Sequence, residues 1–479
     1  MQRVTSDRPW PLFEATALRH LEKHAAAGLP AHMLMQRAGL AVARLALALA
    51  PHAQRTWVAC GPGNNGGDGL EAAMHLKQWG KEPLVTWLGD EARAPGDAKA
   101  SLHRARAAGV QMVDQPPAHY DFALDALLGI GGTRAPAGDL ARHIEHLNAG
   151  TATVLAVDLP SGLDAGTGQA SLVVRAAHTL SLLALKPGLF TGQGRDAAGT
   201  VWFDDLQVPA NGQAPSAWLS SLPPARVRPH ASHKGSHGDV AVIGGAPGMA
   251  GAALLAARAA LHSGAGRVFV GFLDPSAPAL DPLQPDLMVR PWDSLDLAAM
   301  AVACGCGGGE AVRLALPRVL KARALVLDAD ALNAIAADPQ LQSLLEARGR
   351  RGAATVLTPH PLEAARLLAS DTTFVQEDRL AAARALARRF GSVVVLKGSG
   401  SVVAAPDGSA RINPTGNARL AIAGTGDVLA GMIAARLAGG EDAMTAAGAA
   451  VFLHGLAADR WPAGEALTAS ALAAAAGQS

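Results

Sequence analysis

The sequence predicts two different α/β domains in one chain, each a parallel sheet covered by helices. Short β-rich runs alternate with helical patterns over most of the length, the order produced by parallel strands joined through crossover helices. The alternation lapses from Val208 to Pro229, VPANGQAPSAWLSSLPPARVRP, where Pro, Ser, Gly and Asn dominate without sustained periodicity and a linker is expected. The halves on either side share no motif in register, which argues against a duplication. A chain of 479 residues is also too long for one ordinary compact domain. The boundary falls near Pro223, giving domains over 1–222 and 223–479.

In the first half, TWVACG, LVTWLGD, FALDALLGIG and TVLAVDLPSG read as strands, with GLEAAMHLKQWG and DAKASLHRARAAGV as helices. AGLAVARLALALA carries Arg44 and falls short of the roughly 20 apolar residues of a membrane span, so it reads as a buried amphipathic helix. In the second half, DVAVIGG, RVFVGFLD, MAVACG, ALVLDAD, ATVLTPH, SVVVLKG and SVVAAP are the strands. MAGAALLAARAALHSGAG, PLEAARLLA and GDVLAGMIAARLAG are helices.

Composition removes several function classes. With 41 Lys and Arg against 40 Asp and Glu, the net charge is +1, and neither a nucleic-acid groove nor an acidic tail is indicated. Arg3, Asp7 and Arg8 argue against a signal peptide. Three cysteines, Cys60, Cys304 and Cys306, are too few for a disulfide scaffold and indicate structural thiols in a reducing, cytoplasmic setting. His230, His233 and His237 form H-x-x-H-x-x-x-H in a Gly/Ser-rich stretch. With no helix to present them and no patterned carboxylate, they read as loop residues rather than a metal site.

GPGNNGGDGL follows the first of these strands and opens a helix. Gly61, Gly63 and Gly66 satisfy G-x-G-x-x-G, which turns backbone amides at a helix N-terminus toward an anion; a plain glycine-rich turn has the same spelling. Asn64, Asn65, Gly67 and Asp68 make this loop polar where a dinucleotide fingerprint is small. Two other strand ends carry oxygen: Asp125 in DALLGIG, and Asp158 with Ser161 in VDLPSGLD. Ligands bind at the carboxyl ends of parallel strands, so Asn65, Asp125 and Ser161 are expected to converge. One carboxylate with two neutral oxygens suits a hard monovalent cation.

GPGNNGGDG, DALLGIG, AVDLPSGLDAGTG and LALKPGL resemble the YjeF N-terminal family, the NAD(P)HX epimerases, from about Leu12 to Val208. The resemblance implies a Rossmann-like three-layer fold and a potassium ion held by Asn65, Asp125 and Ser161. It implies substrate contacts from Asn64, Asn65, Gly66, Gly67 and Asp68, and from the loop of Gly129, Ile130, Gly131, Gly132, Thr133, Arg134 and Ala135. Asp158 is the further contact and the candidate acid/base.

Near the C-terminus, Gly424-Thr425-Gly426-Asp427 opens a helix. The glycines let amides turn toward an anion at the positive helix end. An aspartate there repels phosphate, and suits either a base beside an attacking hydroxyl or ordinary capping. Lys397 and Gly398 in LKGSGS follow a strand, where a lysine with small neighbours suits a nucleotide or plain solvent. His360 in TPHPLEAARLL stands at a strand end, equally suited to a substrate hydrogen bond or to a satisfied loop.

HKGSHGDVAVIGG, DADALN, TPHPLEAARL, LKGSGSVVA and AGTGDVLAG resemble the YjeF C-terminal family, the ADP/ATP-dependent NAD(P)HX dehydratases of the ribokinase-like superfamily. The resemblance runs from about His230 to the last helix. It implies substrate contacts from Ala252, Gly307, His360 and Asp427, and nucleotide contacts from Lys397, Gly398, Ser399, Gly400, Ser401 and Gly426. It also implies magnesium, with ADP or ATP as co-substrate. Glu363 resembles the N-x-x-E glutamate that lies near magnesium in ribokinase-like enzymes, with His360 in place of the asparagine. Two loops depart from the usual pattern: G-P-G-L-G reads Gly305-Cys306-Gly307-Gly308-Gly309, and T-G-G reads Ile422-Ala423-Gly424.

Together these resemblances imply a bifunctional repair enzyme. The first half would epimerise NADHX and NADPHX, and the second would dehydrate the S epimer with Asp427 as the catalytic base. They imply small-molecule substrates only, no nucleic acid or membrane partner, and a homo-oligomer. The competing reading is a ribokinase-like small-molecule kinase fused to a Rossmann-like binding module. An ordinary nicotinamide oxidoreductase leaves NNGGD, PSGLD and the whole second half unexplained.

Overall fold

The computed structural model describes residues 1–132, 135–209 and 212–477. The chain divides into two compact units, one of Met1–Thr5 and Trp10–Trp218, the other of Ser6–Pro9 and Leu219–Ser479. The stretch read as a structureless linker contains a strand, Ala217–Leu219, too short to leave a periodicity. Among the described residues, no helix is long and apolar enough to cross a membrane.

The first unit holds an eight-stranded sheet. In chain order its strands are β1 (Gln2–Arg3), β2 (Arg55–Cys60), β3 (Glu82–Trp87), β4 (Gln111–Met112), β5 (Phe122–Ala126), β6 (Thr153–Val157), β7 (His178–Leu182) and β8 (Thr200–Asp204). Their spatial order is β1-β8-β7-β6-β5-β2-β3-β4, parallel throughout except where β1 meets β8. Strands covered on both faces read as continuous apolar runs, and β5 is buried along its whole length. On one face, α1 (Ala15–Ala27), α2 (Met33–Leu49), α3 (Asn64–Gln78) and α4 (Gly96–Ala107) pack Leu18, Leu45, Leu70 and Leu102 against Val58, Leu124 and Leu155. On the other, α5 (Asp139–Ala149) packs Ile144 and Leu147 against Trp57, Ala123 and Ala156. The strand order reverses between β2 and β5, which opens a crevice at their carboxyl ends.

The second unit has its own largely parallel sheet. Nine of its strands are β9 (Asp239–Gly244), β10 (Arg267–Phe272), β11 (Met288–Val289), β12 (Ala301–Cys304), β13 (Ala324–Leu327), β14 (Thr355–Leu357), β15 (Val393–Leu396), β16 (Val402–Ala404) and β17 (Ala410–Ile412). They lie in the order β11-β10-β9-β12-β13-β14-β15-β16-β17, with only the β15–β16 and β16–β17 pairs antiparallel. The order reverses between β9 and β12. Helices α6 (Ala250–His262), α7 (Pro361–Leu368), α8 (Thr425–Ala438) and α9 (Ala443–Asp459) bear on the site. Helix α8 lies so close to α6 that a Cβ on Gly431 would come 2.0 Å from the Ala256 carbonyl oxygen. Its N-terminus lies beside Asp328, just after β13, and Lys397, just after β15, both near Gly426.

Two candidate active sites

In the first unit the crevice between β2 and β5 is a cavity of about 690 Å³. Helix α3 begins at Asn64, so the Asn-Asn-Gly-Gly-Asp run is its first turn and a half rather than a free loop. Backbone proximity requires the glycines: a Cβ on Gly61 would sit 1.7 Å from the Leu127 carbonyl oxygen, and one on Gly66 2.0 Å from that of Gly61. Asn64, Asn65, Asp68, Gly129, Ile130, Gly131, Gly132 and Asp158 all line the cavity. Gly66 and Gly67 do not; Gly67 packs against Met35. Ala135 is exposed and outside the lining, while Thr133 and Arg134 lie outside the described residues.

Asn65, Asp125 and Ser161 do come together. Asp125 is flanked in the sheet by Ala59 and Ala156 and is fully buried. Its Oδ2 accepts from the Ser161 amide at 2.8 Å and its Oδ1 from the Ser161 hydroxyl at 2.5 Å. The Leu128 amide donates to Ser161 Oγ at 2.8 Å, and Asn65 Nδ2 donates to the Leu128 carbonyl at 2.9 Å. Burial pushes the Asp125 carboxyl up to about 6, opposed only by hydrogen bonds from Ser161 and Leu127. Among the described residues, no cationic side chain pairs with it. A buried carboxylate without a counter-charge, ringed by hydroxyl, amide and carbonyl groups, fits a hard monovalent cation.

Asp158 adopts a left-handed backbone, φ 70°, a conformation that costs a non-glycine residue free energy and recurs at functional sites. Its Oδ1 accepts from the Leu182 amide at 3.1 Å and from Lys186 Nζ. Lys186 is itself buried, and also donates to the Leu182 carbonyl at 2.9 Å and to Ser181 Oγ at 3.2 Å. Burial, followed by the charges of Asp158 and Glu22, holds the Asp68 carboxyl well above its ordinary range. Burial and then Asp158 raise Glu22 in the same way. Lys186, Glu22 and Arg19 escaped the sequence reading. Only Lys186 left a signal, a single charge inside the apolar run LLALKPGL, which predicts a buried, paired lysine.

In the second unit, Gly424 at φ 91° leads into α8, and the Thr425 hydroxyl donates back to the Leu420 carbonyl at 2.9 Å. Lys397 turns inward: its Nζ donates to Asp328 Oδ1 at 2.7 Å and stands 3.9 Å from Glu363. Thr358 Oγ1 donates to the same Asp328 oxygen at 2.7 Å. A Cβ on Gly426 would sit 3.3 Å from Lys397 Nζ. The Cys306 thiol and carboxylate oxygens of Asp328 and Asp427 lie within 4.8 Å of one another. Burial, then Asp328, pushes Asp427 up to about 6, against a hydrogen bond from Cys306 and the charge of Lys397.

Gly307, at φ 58°, faces Ala252, whose Cβ would be 2.9 Å from one added at Gly307. The Ser401 hydroxyl donates to the Gly398 carbonyl at 3.1 Å, closing the loop through Ser399 and Gly400. His360 is the N-cap of α7: its Nδ1 accepts from the Leu362 and Glu363 amides at 3.1 and 3.3 Å, and Glu363 Oε2 accepts from the His360 amide at 2.7 Å. Burial raises Glu363 to about 7, with Lys397 pulling the other way. Asp328 and Cys306 are the groups the sequence reading left without a role. The cluster does not suit a resident Mg2+: it offers a soft, buried thiol, and Asp328 already carries Lys397.

The family model described as YjeF-related protein N-terminus matches residues 31–188, and the one described as NAD(P)H-hydrate dehydratase matches residues 240–477. The bifunctional NAD(P)H-hydrate repair enzyme of Escherichia coli (strain K12) is 38% identical, over 94% of this chain and 90% of its own length. That of Vibrio cholerae is 35% identical over 94% of each. A crystal structure of the ADP/ATP-dependent NAD(P)H-hydrate dehydratase from Bacillus subtilis, with ATP and Mg2+, is 34% identical and covers 54% of this chain and 92% of that one, with a TM-score of 0.47. With both family models matched in order and relatives this similar over nearly the whole length, the chain belongs to the bifunctional NAD(P)H-hydrate repair enzymes, an epimerase domain followed by a dehydratase domain.

Proposed function

We propose that the first unit interconverts the R and S epimers of NADHX and NADPHX, and that the second dehydrates the S epimer while ADP or ATP gives up its terminal phosphate. The observation that carries this reading is Asp427: a carboxyl poised near pH 6, one residue from Gly426 at a helix N-terminus and beside Lys397. A base with its pKa near the working pH transfers protons most effectively.

Asp427 takes the proton of the ring hydroxyl as that oxygen attacks the terminal phosphorus of the nucleotide. The bond from phosphorus to the nucleotide's bridging oxygen breaks, and ADP leaves as AMP. The amides of Gly424, Thr425 and Gly426 hold the charge that develops on the phosphoryl oxygens. The ring nitrogen lone pair then expels inorganic phosphate as the ring carbon–oxygen bond breaks, and a proton lost from the adjacent ring carbon restores the dihydropyridine. Mg2+ arriving with the nucleotide neutralises its phosphates when bound. Lys397, with its loop to Ser401, orients the nucleotide, and Ala252, Gly307 and His360 border the substrate.

In the first unit Asp158, ion-paired with Lys186, accepts a proton, and Asp68, whose carboxyl burial holds well above its ordinary range, supplies one from the same cavity. Potassium held by Asn65, Asp125 and Ser161 would supply a fixed positive charge at the cavity floor when bound. The three free, buried cysteines support a reducing, cytoplasmic setting.

The test supplies mixed-epimer NADHX with magnesium, potassium and ADP, then ATP, and follows the return of NADH absorbance. Full recovery is expected. A plateau when the S epimer is consumed overturns the epimerase assignment, and a stable phosphorylated product with no NADH would favour a small-molecule kinase.

A further inference from the structure

We infer that Cys306 is a positioning residue for the base of the second unit: its thiol donates a hydrogen bond to the Asp427 carboxylate and fixes that carboxylate's orientation. The inference rests on the reading of Asp427 as the base.

Cys306 is fully buried, and its loop is pinned on both sides. The Cys306 carbonyl accepts from the Gly245 amide at 3.0 Å, and the Gly307 carbonyl from the Ala246 amide at 2.7 Å. Gly305, at φ 113°, runs so close to the next strand end that a Cβ would sit 2.0 Å from the Asp328 carbonyl oxygen. The sulfur is therefore placed by backbone rather than by a flexible side chain. Its thiol and one carboxylate oxygen each of Asp328 and Asp427 lie within 4.8 Å of one another. Asp328 is already engaged by Lys397 and Thr358, which leaves the neighbouring Asp427 carboxylate as the acceptor for the thiol. Burial and the two carboxylates hold the thiol well above its ordinary range, so it stays protonated and acts as a donor.

Asp427 is faced by Asp328, Asp330, Cys306 and Lys397. Burial and the two aspartates favour its neutral form, while the thiol and the lysine favour the charged form. Beside a fully buried thiol even a weak S–H donor counts, because a hydrogen bond is stronger where the local dielectric is low.

The test is the pH dependence of dehydration kcat/KM in the full-length protein. Cys306→Ala should move the acidic limb upward by about one pH unit, the loss expected when a carboxylate gives up one hydrogen bond. Cys306→Ser, which restores a donor, should return the limb to its original place. A role in packing alone would lower the rate at every pH without moving the limb, and that result overturns the inference. The infrared S–H band gives a reading on the unmutated site. The component absent from Cys306→Ser should shift as pH crosses the limb, and that shift should vanish in Asp427→Asn; a band that ignores pH overturns the inference even where the alanine variant fails to fold. If instead Asp427→Asn keeps its dehydration rate, the base assignment itself fails.

Discussion

Asp125 offers the most quantitative test of the first site. Its carboxyl is fully buried with no cationic partner among the described residues, and burial moves it from 3.8 to about 6. That is about two pH units, or about 3 kcal/mol. The folded state holds this proton more tightly than the unfolded chain does. Stability from this group is therefore complete below about pH 4, falls as pH rises, and levels off above about pH 6. In potassium-free buffer the first unit should be about 3 kcal/mol less stable at pH 7.5 than at pH 4 through Asp125 alone. Asp68 and Glu22 are raised in the same direction, so the informative quantity is the wild type minus Asp125→Asn. Potassium should offset most of the loss, since a ligand at a hundredfold excess over its Kd adds about 2.7 kcal/mol. Two units need not unfold together, so native-state hydrogen exchange of the amides of Arg55–Cys60 and Phe122–Ala126 is the suitable readout. The salts compared would be potassium and tetramethylammonium chloride at equal ionic strength. A difference between wild type and variant that is constant from pH 4 to 7.5, or equal protection in the two salts, would refute the reasoning.

Other outcomes follow from single contacts. Asp427→Asn should lower dehydration by about 10²–10⁴-fold and leave epimerisation intact, and wild-type dehydration should fall as pH drops through about 6, where Asp427 takes up its proton; both are read in the NADH assay. Lys186→Met leaves Asp158 without its cation in a largely buried place, and should destabilise the first unit by about 3–5 kcal/mol, with part recovered by adding Asp158→Asn, as measured by hydrogen exchange. Gly431→Ala forces a methyl against the Ala256 carbonyl and should cost the second unit about 1–3 kcal/mol in its melting transition, while epimerase activity is retained.

Much of the framework was legible because its physics is local. Strands buried on both faces must be apolar throughout, and runs such as FALDA and VVVL announce themselves. Asp125 stood out as an oxygen-bearing residue at a strand end, and Asp427 as a carboxylate where an anion site wants none. Helix α3 was read as starting late because two asparagines and two glycines are weak helix formers. It starts at Asn64, and Gly61 and Gly66 are required because the backbones of Gly61, Leu127 and Gly66 approach too closely for a side chain, a fact that no local propensity contains. His360 had two readings, and its use as the cap of α7 explains its place at the start of that helix.

Alternating strands and helices, two unlike halves and the glycine-rich strand ends are properties of short stretches, so the sequence alone determined the fold class, the family and the candidate loops. Which side chains meet was decided only in three dimensions. Lys397 and Asp328 are 69 residues apart, Lys186 and Asp158 are 28 apart, and Cys306 and Asp427 come from different strands and helices altogether. Their charge states depend on burial and on one another across those separations. The electrostatics of both candidate sites, and the partner of each proposed base, are thus products of the tertiary fold.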